Sequence, residues 1–238
     1  AGQMPLKFFI KFFQNHGLFK FKERPQWYTV KNRSRTYVNK ILEKISGEYF
    51  KNYNINKVER KINGVRVFYG DDNEFFDYDK VVFATHADQT ISIIKNPTDE
   101  EKNLLTKFNY KKNVALIHTD EKVMPLNKKA WSSWNSSINS SNLKESSITY
   151  WLNLLQNLNI KKNIFLTLNP FFQVDKDKII KKIEFTHPYY NQEALSFQKN
   201  LSNIQNKKNI LFCGSYFGYG FHEDGIKSSI DMLKFLDD

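Results

Sequence analysis

Cysteine is almost absent from this sequence: Cys213 is the one cysteine in 238 residues. A single cysteine excludes an internal disulfide framework and a metal cage built of thiolates. No apolar run of about 18 residues occurs, so the sequence offers no candidate membrane-spanning helix. From these absences we expect a cytoplasmic protein, with peripheral attachment to the inner face of the membrane left open.

Arginine is also scarce. The formal net charge is +11, but only five of the 36 basic residues are arginines. The lysines are spread along the chain in pairs such as Lys111-Lys112, Lys161-Lys162 and Lys207-Lys208, mostly beside asparagine. This dispersal favours a solvated surface over a nucleic-acid interface, which would need clustered cations. A membrane surface remains a possible anionic partner.

Apolar and aromatic residues are abundant enough, at 40% and 16%, to build a substantial core. Their spacing predicts a mixed α/β protein. Helical periodicity occurs in "MPLKFFIKFFQNHG", "SRTYVNKILEKI", "ADQTISIIK", "TDEEKNLLTKF" and "QEALSFQKNLSNI". Strands are predicted at "KVVFAT", "NVALIHT", "SITYW", "IFLTLN" and "KKIEFTH", and a loop at "SSWNSSINSSNLKESS".

Three local patterns make finer predictions. Asn63-Gly64 between alternating segments predicts a β-hairpin with a type I′ turn. Thr98 and Glu101 have the spacing of a capping box at the start of a helix. The continuous apolar run in "KVVFAT" predicts a strand that is covered on both faces.

The stretch "NILFCGSYFGYGFHEDGIKSSIDMLKFL", residues 209–236, combines a strand, a glycine-rich turn and a helix predicted over 226–236. Glycines allow a ligand to approach the main chain, and a helix N-terminus offers free N–H groups to a polar or anionic ligand. The alternative is purely structural: Asp224 caps the helix and the glycines make a tight turn.

This stretch resembles the C-terminal flavin motif of the FAD-dependent amine oxidase superfamily. The segments "RPQWYTVKNRSRTYV", "VVFATHADQT", "ALIHTDEKVMP", "AWSSWN", "TYWLNLLQ" and "TLNP" resemble, in order, motifs of its bacterial amine-oxidase-like NAD/FAD-binding branch. The resemblance runs from about residue 5 to the end. It implies part of an FAD/NAD(P)-binding Rossmann-like domain, a strand-rich substrate-domain insertion and an FAD-dependent oxidoreductase activity.

One family motif is missing. Members of the family hold the ADP half of FAD with a G-x-G-x-x-G turn, and no such pattern occurs in these 238 residues. We therefore expect the chain to be the C-terminal portion of the family's protein, with the missing N-terminal dinucleotide-binding half as its partner. At "VKNRS", Asn32 and Arg33 stand where the family tends to have glycines, which argues against close cofactor approach there.

The resemblance also implies cofactor contacts. They are Val58 at the adenine, then Ala84 and Thr85, with His86 as a further candidate, and then Gly214, Gly220, Phe221, His222, Glu223, Asp224 and Gly225. His222 is either a proton carrier near the flavin or an ordinary hydrogen-bonded loop histidine. The histidines lack the spacing of metal ligands, so no metal site is predicted and no catalytic residue is assigned.

Aromatic residues of the middle segment are candidates for a substrate pocket, although aromatics in strands are more often core. They are Trp131, Trp134, Tyr150 and Trp151, with Phe171 and Phe172. Together with the phenylalanine-rich first helix, they favour an apolar, lipid-like or fatty-acyl substrate over a small polar amine.

The predicted organisation has four parts. Residues 1–25 form an amphipathic helical segment of the substrate region, and 26–97 form part of the FAD-binding domain. Residues 98–204 form the substrate-binding domain, and 205–238 return to the FAD-binding domain. A second hypothesis remains: a non-catalytic basic module that binds a membrane or nucleic-acid surface.

Overall fold

A computed structural model describes residues 5–23, 25–26, 28–71 and 74–236, without the side chain of Phe8. The chain divides into two compact units. Residues 1–110 and 188–238 form the first unit, and residues 111–187 form the second. Both boundaries of the second unit fall inside the 98–204 segment that the sequence assigns to substrate binding.

Seven α-helices lie within the described residues, and the sequence predicts five of them plus a later start for the last. They are α1 (Leu6–Asn15), α2 (Arg35–Leu42), α3 (Ala87–Ile93), α4 (Asp99–Leu105), α5 (Leu152–Leu155), α6 (Gln192–Gln198) and α7 (His222–Leu233). The capping box of α4 is confirmed: Glu101 N–H donates to Thr98 Oγ1 at 3.2 Å, and Thr98 N–H donates to Glu101 Oε2 at 2.8 Å. Glu101 is fully buried and also pairs with Arg60, which anchors α4 to the preceding strands.

The strands form three sheets. The first sheet contains β1 (Ile55–Arg60), β2 (Val65–Tyr69) and β3 (Glu74–Tyr78), and the second pairs β4 (Val81–Phe83) with β10 (Ile210–Phe212) in parallel. The third has the order β6-β7-β8-β5-β9, with β5 (Asn109–His118), β6 (Trp134–Asn139), β7 (Asn142–Trp151), β8 (Phe165–Leu168) and β9 (Ile179–Tyr189).

The apolar core of the first unit collects side chains from strands and helices that are far apart in sequence. Ile210 and Phe212 of β10 are completely buried in it, and the buried Gln205 amide bonds to the N–H and the carbonyl of Phe212. Leu211 is also completely buried, but in a second cluster with Cys213 and Met232. The ring of Phe212 stacks on Phe83 of β4, with centroids 5.8 Å apart. The apolar core is completed by Val58, Val65, Ala87, Ile94, Leu104, Leu105, Phe108, Ala194, Leu201, Ile204 and Tyr216.

Four predictions need correction. The serine- and asparagine-rich segment is not a loop but the β6–β7 hairpin: Trp134, Ser136 and Ile138 lie on one face of a pleated strand, opposite Tyr150, Ile148 and Ser146 of β7. Helix α7 begins at His222 rather than 226, so Gly225 lies inside its first turn.

The other two corrections concern turn type and strand cover. The predicted hairpin forms, but only Gly64 has a positive φ, +100°, whereas a type I′ turn requires two such residues. A side chain at Gly64 would collide with the Tyr78 carbonyl, which explains the glycine. Strand β4 is not covered on both faces, since Val82 is 42% exposed.

No helix in the described part of the chain combines the length and the apolar character needed to cross a membrane.

Candidate functional site

The candidate site lies where the parallel strands β4 and β10 end. Val81 is opposite Ile210 and Phe83 is opposite Phe212, and Cys213 N–H donates to the Phe83 carbonyl at 2.8 Å. Because the strands are parallel, their carboxyl ends reach the same edge, and ligands of open α/β sheets bind at such edges. The predicted contacts Ala84, Thr85 and Gly214 all follow these strand ends, and Ala84 and Thr85 are exposed there.

The loop after β10 is tied to helix α7. Gly214 N–H donates to Ser228 Oγ at 2.9 Å, and Ser228 Oγ donates to the Gly225 carbonyl at 2.7 Å. Asp224 Oδ2 accepts the Phe221 N–H at 2.9 Å, so the carboxylate caps the helix as the structural alternative predicts. The first turn of α7, which contains His222, Glu223 and Gly225, therefore starts at the same edge as the strand ends.

Two glycines of the loop are required by the protein's own packing. A side chain at Gly218 would overlap the Asp224 carboxylate. At Gly220, with φ of +94°, it would meet the Tyr190 hydroxyl at 3.0 Å. Gly225 differs, because an added Cβ would find no atom nearer than the Ser215 nitrogen at 4.0 Å. Of these three positions, only Gly225 leaves its surroundings open to a ligand.

Thr85 and His86 directly precede α3 and are held in place by hydrogen bonds and ring stacking. Thr90 Oγ1 donates its proton to the His86 carbonyl at 2.9 Å, so in its 2.8 Å contact with Thr90 the Thr85 hydroxyl is the donor. The His86 ring stacks on Tyr110, with centroids 4.4 Å apart and planes at 18°. The Tyr110 hydroxyl in turn accepts the Ala87 N–H at 2.9 Å. These bonds fix the chain as it leaves β4.

Three tyrosines that we did not single out from the sequence lie behind this edge: Tyr190 and Tyr216 are buried and Tyr110 is half-buried. Burial raises the pKa of Tyr110 to about 12, and burial likewise raises the pKa values of Tyr190 and Tyr216. All three phenols are therefore neutral near pH 7 and able to donate a hydrogen bond. Tyr190 donates to the Ser215 carbonyl at 3.4 Å, whereas the hydroxyl of Tyr216, 1% exposed, has no partner among the described residues. Tyr216 lies within the glycine-rich stretch quoted above, and that position in the motif is the sequence signal by which it could have been chosen as a candidate site residue.

His222 and Phe221 are engaged with the N-terminal helices. His222 Nδ1 lies 3.1 Å from the Tyr37 hydroxyl of α2, which agrees with the ordinary hydrogen-bonded alternative for this histidine. Phe221 stacks on Phe12 of α1, with centroids 5.7 Å apart, and lies beside His16. Both contacts hold α1 and α2 against the start of α7.

Val58 lies in the apolar core, 1% exposed. Its carbonyl accepts the Lys95 N–H at 2.8 Å, so this backbone oxygen already has a protein partner. Its role at the adenine stays a prediction.

The four predicted substrate residues lie in the second unit and form two pairs. Trp134 and Tyr150 are cross-strand neighbours, with ring centroids 5.7 Å apart, and Trp134 is 58% exposed. Trp131 packs edge-on against Trp151 at 5.3 Å. Since Tyr150 and Trp151 are successive residues of one strand, their side chains point to opposite faces of the sheet. The four side chains therefore do not line one common pocket.

A buried hydrogen-bond chain on the Trp151 face of this sheet was missed by the sequence analysis. His118 Nδ1 accepts the Asp120 N–H at 3.2 Å, so the ring proton is on Nε2, which donates to Thr167 Oγ1 at 2.7 Å. Thr167 is also bonded to Thr149 at 2.9 Å. Burial lowers the pKa of His118, so the neutral ring is the form that this chain stabilises.

No family model and no curated protein matches the chain. Solved structures do share its fold. A CLA-producing fatty acid isomerase from P. acnes is 12% identical, with a TM-score of 0.59 over 84% of this chain and 51% of that one. Wild-type putrescine oxidase bound to putrescine is 9% identical, with a TM-score of 0.59 over 87% of this chain and 53% of that one.

A putative protoporphyrinogen oxidase from Exiguobacterium sp. 255-15 is 12% identical, with a TM-score of 0.58 over 98% of this chain and 59% of that one. Identities this low show the fold alone, and the predicted mixed α/β fold of amine-oxidase type is confirmed. The chain spans between half and three fifths of the length of these proteins.

Proposed function

We propose that the chain is the flavin-ring-binding and substrate-binding portion of an FAD-dependent oxidoreductase of amine-oxidase type. The observation that carries the proposal is the shared edge formed by the ends of β4 and β10 and the first turn of α7. The fold likeness to two oxidases supports it, as does the order of motifs along the sequence.

The residues at this edge suit the ring end of a flavin. The main chain of Glu223 and Asp224 would present N–H groups of a helix start to the polar rim of the ring, whereas the Gly225 N–H already donates to the Phe221 carbonyl at 3.1 Å. The open space at Gly225 favours a ligand here. Ala84, Thr85, Gly214, Gly220, Phe221 and His222 complete the proposed contacts.

The residues do not suit the ADP half of FAD. None of the nine glycines forms a G-x-G-x-x-G turn, which is the usual seat of the pyrophosphate. We therefore propose that a dinucleotide-binding portion outside these 238 residues completes the cofactor site. FAD affinity should be weak without it.

The chemistry would be supplied by the bound flavin, which accepts a hydride from the substrate. This chain's part is to orient the substrate and to exclude water. The neutral phenols of Tyr110, Tyr190 and Tyr216 would keep this part of the site uncharged and fixed. His222, held by Tyr37, is proposed as a positioning group rather than a proton carrier.

For the substrate we propose an apolar, lipid-like or fatty-acyl molecule. One face of the second unit's sheet exposes Trp134, Ile138 and Ile148, at 58%, 62% and 38%. One solved structure with this fold is a fatty acid isomerase, although another acts on the small amine putrescine. Turnover of soluble amines with none of acyl lipids by the complete enzyme would contradict this choice. The alternative of a basic binding module has no support from the comparisons.

The test asks which part of FAD this chain binds. Riboflavin contains the ring but no ADP, so the chain should quench riboflavin fluorescence, and added ADP should not restore it. A Gly225→Val variant should lose the quenching, because the new side chain would occupy the open position. Gly47→Val, at an exposed glycine with no close neighbour, is the matched control. No quenching at riboflavin concentrations up to its solubility limit, or displacement by ADP, would contradict the proposal.

A further inference from the structure

A long groove runs along the first unit between α1, α6 and α7. Its volume is about 1270 Å³, which exceeds the roughly 300–1,000 Å³ of most small-molecule pockets. One end reaches Gly218 and Asp224 in the loop after β10, and the other end reaches Phe235 beyond α7. The groove is thus elongated along the helices and large enough for a long, narrow ligand.

The walls of the groove are mainly apolar. Leu6 and Ile10 come from α1, at 70% and 38% exposure, and leave much of their surface without a protein neighbour. Further apolar lining comes from Leu195, Leu201, Phe217, Met232 and Phe235, with glutamines and serines of the same helices between them. An exposed apolar channel of this kind gains free energy when a hydrocarbon chain displaces its water.

Lysines surround the apolar walls. Lys7 and Lys11 are one turn apart on α1, Lys199 follows α6, and Lys227 lies on α7. Lys7, Lys11 and Lys199 form no ion pair with any other residue that the structure describes. The cations therefore come from three separate elements, and three of the four remain available to an anion.

The two acidic residues that line the groove already have partners within the protein. Asp224 accepts the Phe221 N–H, and Asp231 pairs with Lys234 at 2.7 Å while also facing Lys227. Hence the groove combines an apolar channel with an excess of positive charge, and it is complementary to an apolar chain that ends in an anion.

We propose that this groove binds a long-chain fatty acid, with its carboxylate at the lysines of α1 and α6 and its hydrocarbon chain along α7. A single hydrocarbon chain matches the narrow shape of a groove bounded by three helices. The carboxylate matches the positive charge of the lysines that form no ion pair among the described residues. The inference does not depend on flavin binding, because the lysines and apolar side chains that it uses are not proposed flavin contacts; Asp224, at one end of the groove, is the one lining residue shared with the proposed flavin site.

The experiment measures palmitate binding to the full chain by isothermal titration, below the concentration at which palmitate forms micelles. One palmitate should bind per chain, and each methylene removed from the acid should weaken binding by about threefold to fourfold at most. Hexadecanol, which lacks the charge, should bind more weakly than palmitate.

A charge-reversal variant tests the lysines directly. Lys7→Glu, Lys11→Glu and Lys199→Glu together should weaken palmitate binding by about tenfold or more. The matched control carries the same change in net charge on exposed lysines of the second unit, Lys144→Glu, Lys161→Glu and Lys162→Glu, and should remain within about twofold of the original chain. If circular dichroism shows that the first variant is not folded, Lys7→Ala on exposed α1 replaces it, with a smaller loss expected.

Three results would overturn the proposal: no binding of palmitate, equal weakening by both triple variants, or binding of anionic phospholipid vesicles but not of monomeric palmitate. The last would make α1 a membrane-surface helix instead. Loss of riboflavin quenching with palmitate binding intact would refute the proposed flavin site and leave the groove standing.

Discussion

The two units of the chain differ in how they use buried polar side chains. Around β10 the first unit buries Ile210, Leu211 and Phe212, and its buried polar side chains, such as Glu101 and Gln205, bond individually to an ion partner or to nearby backbone. In the second unit, one sheet face buries His118, Thr149 and Thr167 in a hydrogen-bonded chain, while apolar side chains of the other face are exposed. A buried apolar side chain is stabilised by close packing with its neighbours, whereas a buried polar side chain also requires hydrogen-bond partners for its polar atoms. The first unit should thus respond to lost volume and the second to lost hydrogen bonds.

The largest effect is expected at Phe212. Phe212→Ala should lower the free energy of unfolding of the first unit by about 3–5 kcal/mol, because it removes a fully buried ring stacked on Phe83. Six of the seven described helices belong to this unit, so urea unfolding followed by helical circular dichroism reports on it. Val82→Ala on the partner strand, where the side chain is 42% exposed, should cost far less. Equal costs would contradict the burial pattern.

The next effect is expected at Thr167. Thr167→Val keeps the shape but leaves His118 Nε2 and the Thr149 hydroxyl without this partner, at a cost of about 1–3 kcal/mol. Tryptophan fluorescence should detect the loss, since Trp131, Trp134 and Trp151 lie in the second unit. Adding Thr149→Val should cost less than the sum of the two single changes. Strict additivity would show that the hydroxyls do not act as one chain.

The same chain predicts a pH dependence. Burial lowers the pKa of His118 in the folded state, so the unfolded state takes up the proton first as the pH falls. Stability from this group is complete above the unfolded pKa of about 6.5 and declines as the pH falls towards the folded pKa. His118→Gln should flatten this part of the stability profile of the second unit between pH 7 and 5. An unchanged slope in the variant would assign the pH response elsewhere.

Smaller effects are expected in the loop after β10, where two glycines should behave differently. Gly218→Ala should destabilise the first unit by about 1–2 kcal/mol, because the new methyl displaces the Asp224 carboxylate that caps α7. The helical circular dichroism melt measures this loss. If Asp224→Ala leaves the free energy of unfolding of the first unit unchanged, loss of the helix cap does not explain the effect of Gly218→Ala.

Gly225→Ala should change stability least and in the opposite direction. The position is helical and open, so alanine should stabilise the first unit by about 0.5–1 kcal/mol. Riboflavin quenching should nevertheless weaken in this variant, because the methyl group enters the proposed flavin contact. A stabilised variant with unchanged quenching would remove Gly225 from the site.

Local patterns predicted most elements of both units, and long-range packing explains the failures. The Thr98–Glu101 box and the α1 periodicity act within a few residues, so sequence spacing was sufficient. The β6–β7 hairpin was hidden because its serines and asparagines are typical of loops, and only pairing with β8 makes them a sheet face. In the candidate site, the glycine loop was visible as a motif. Its supporting tyrosines come from positions 110, 190 and 216, and no local pattern connects them.

The most direct test of the flavin site is an amide ¹H–¹⁵N NMR titration of the whole chain with riboflavin, with ADP as the comparison ligand. The account predicts that riboflavin shifts the amide signals of Thr85, Gly214 and Gly225, while those of the second-unit residues Ser140 and Ser141 stay in place and ADP shifts none of these. If riboflavin at saturating concentration leaves the Gly225 and Gly214 amides unmoved, the edge formed by β4, β10 and α7 is not a flavin site.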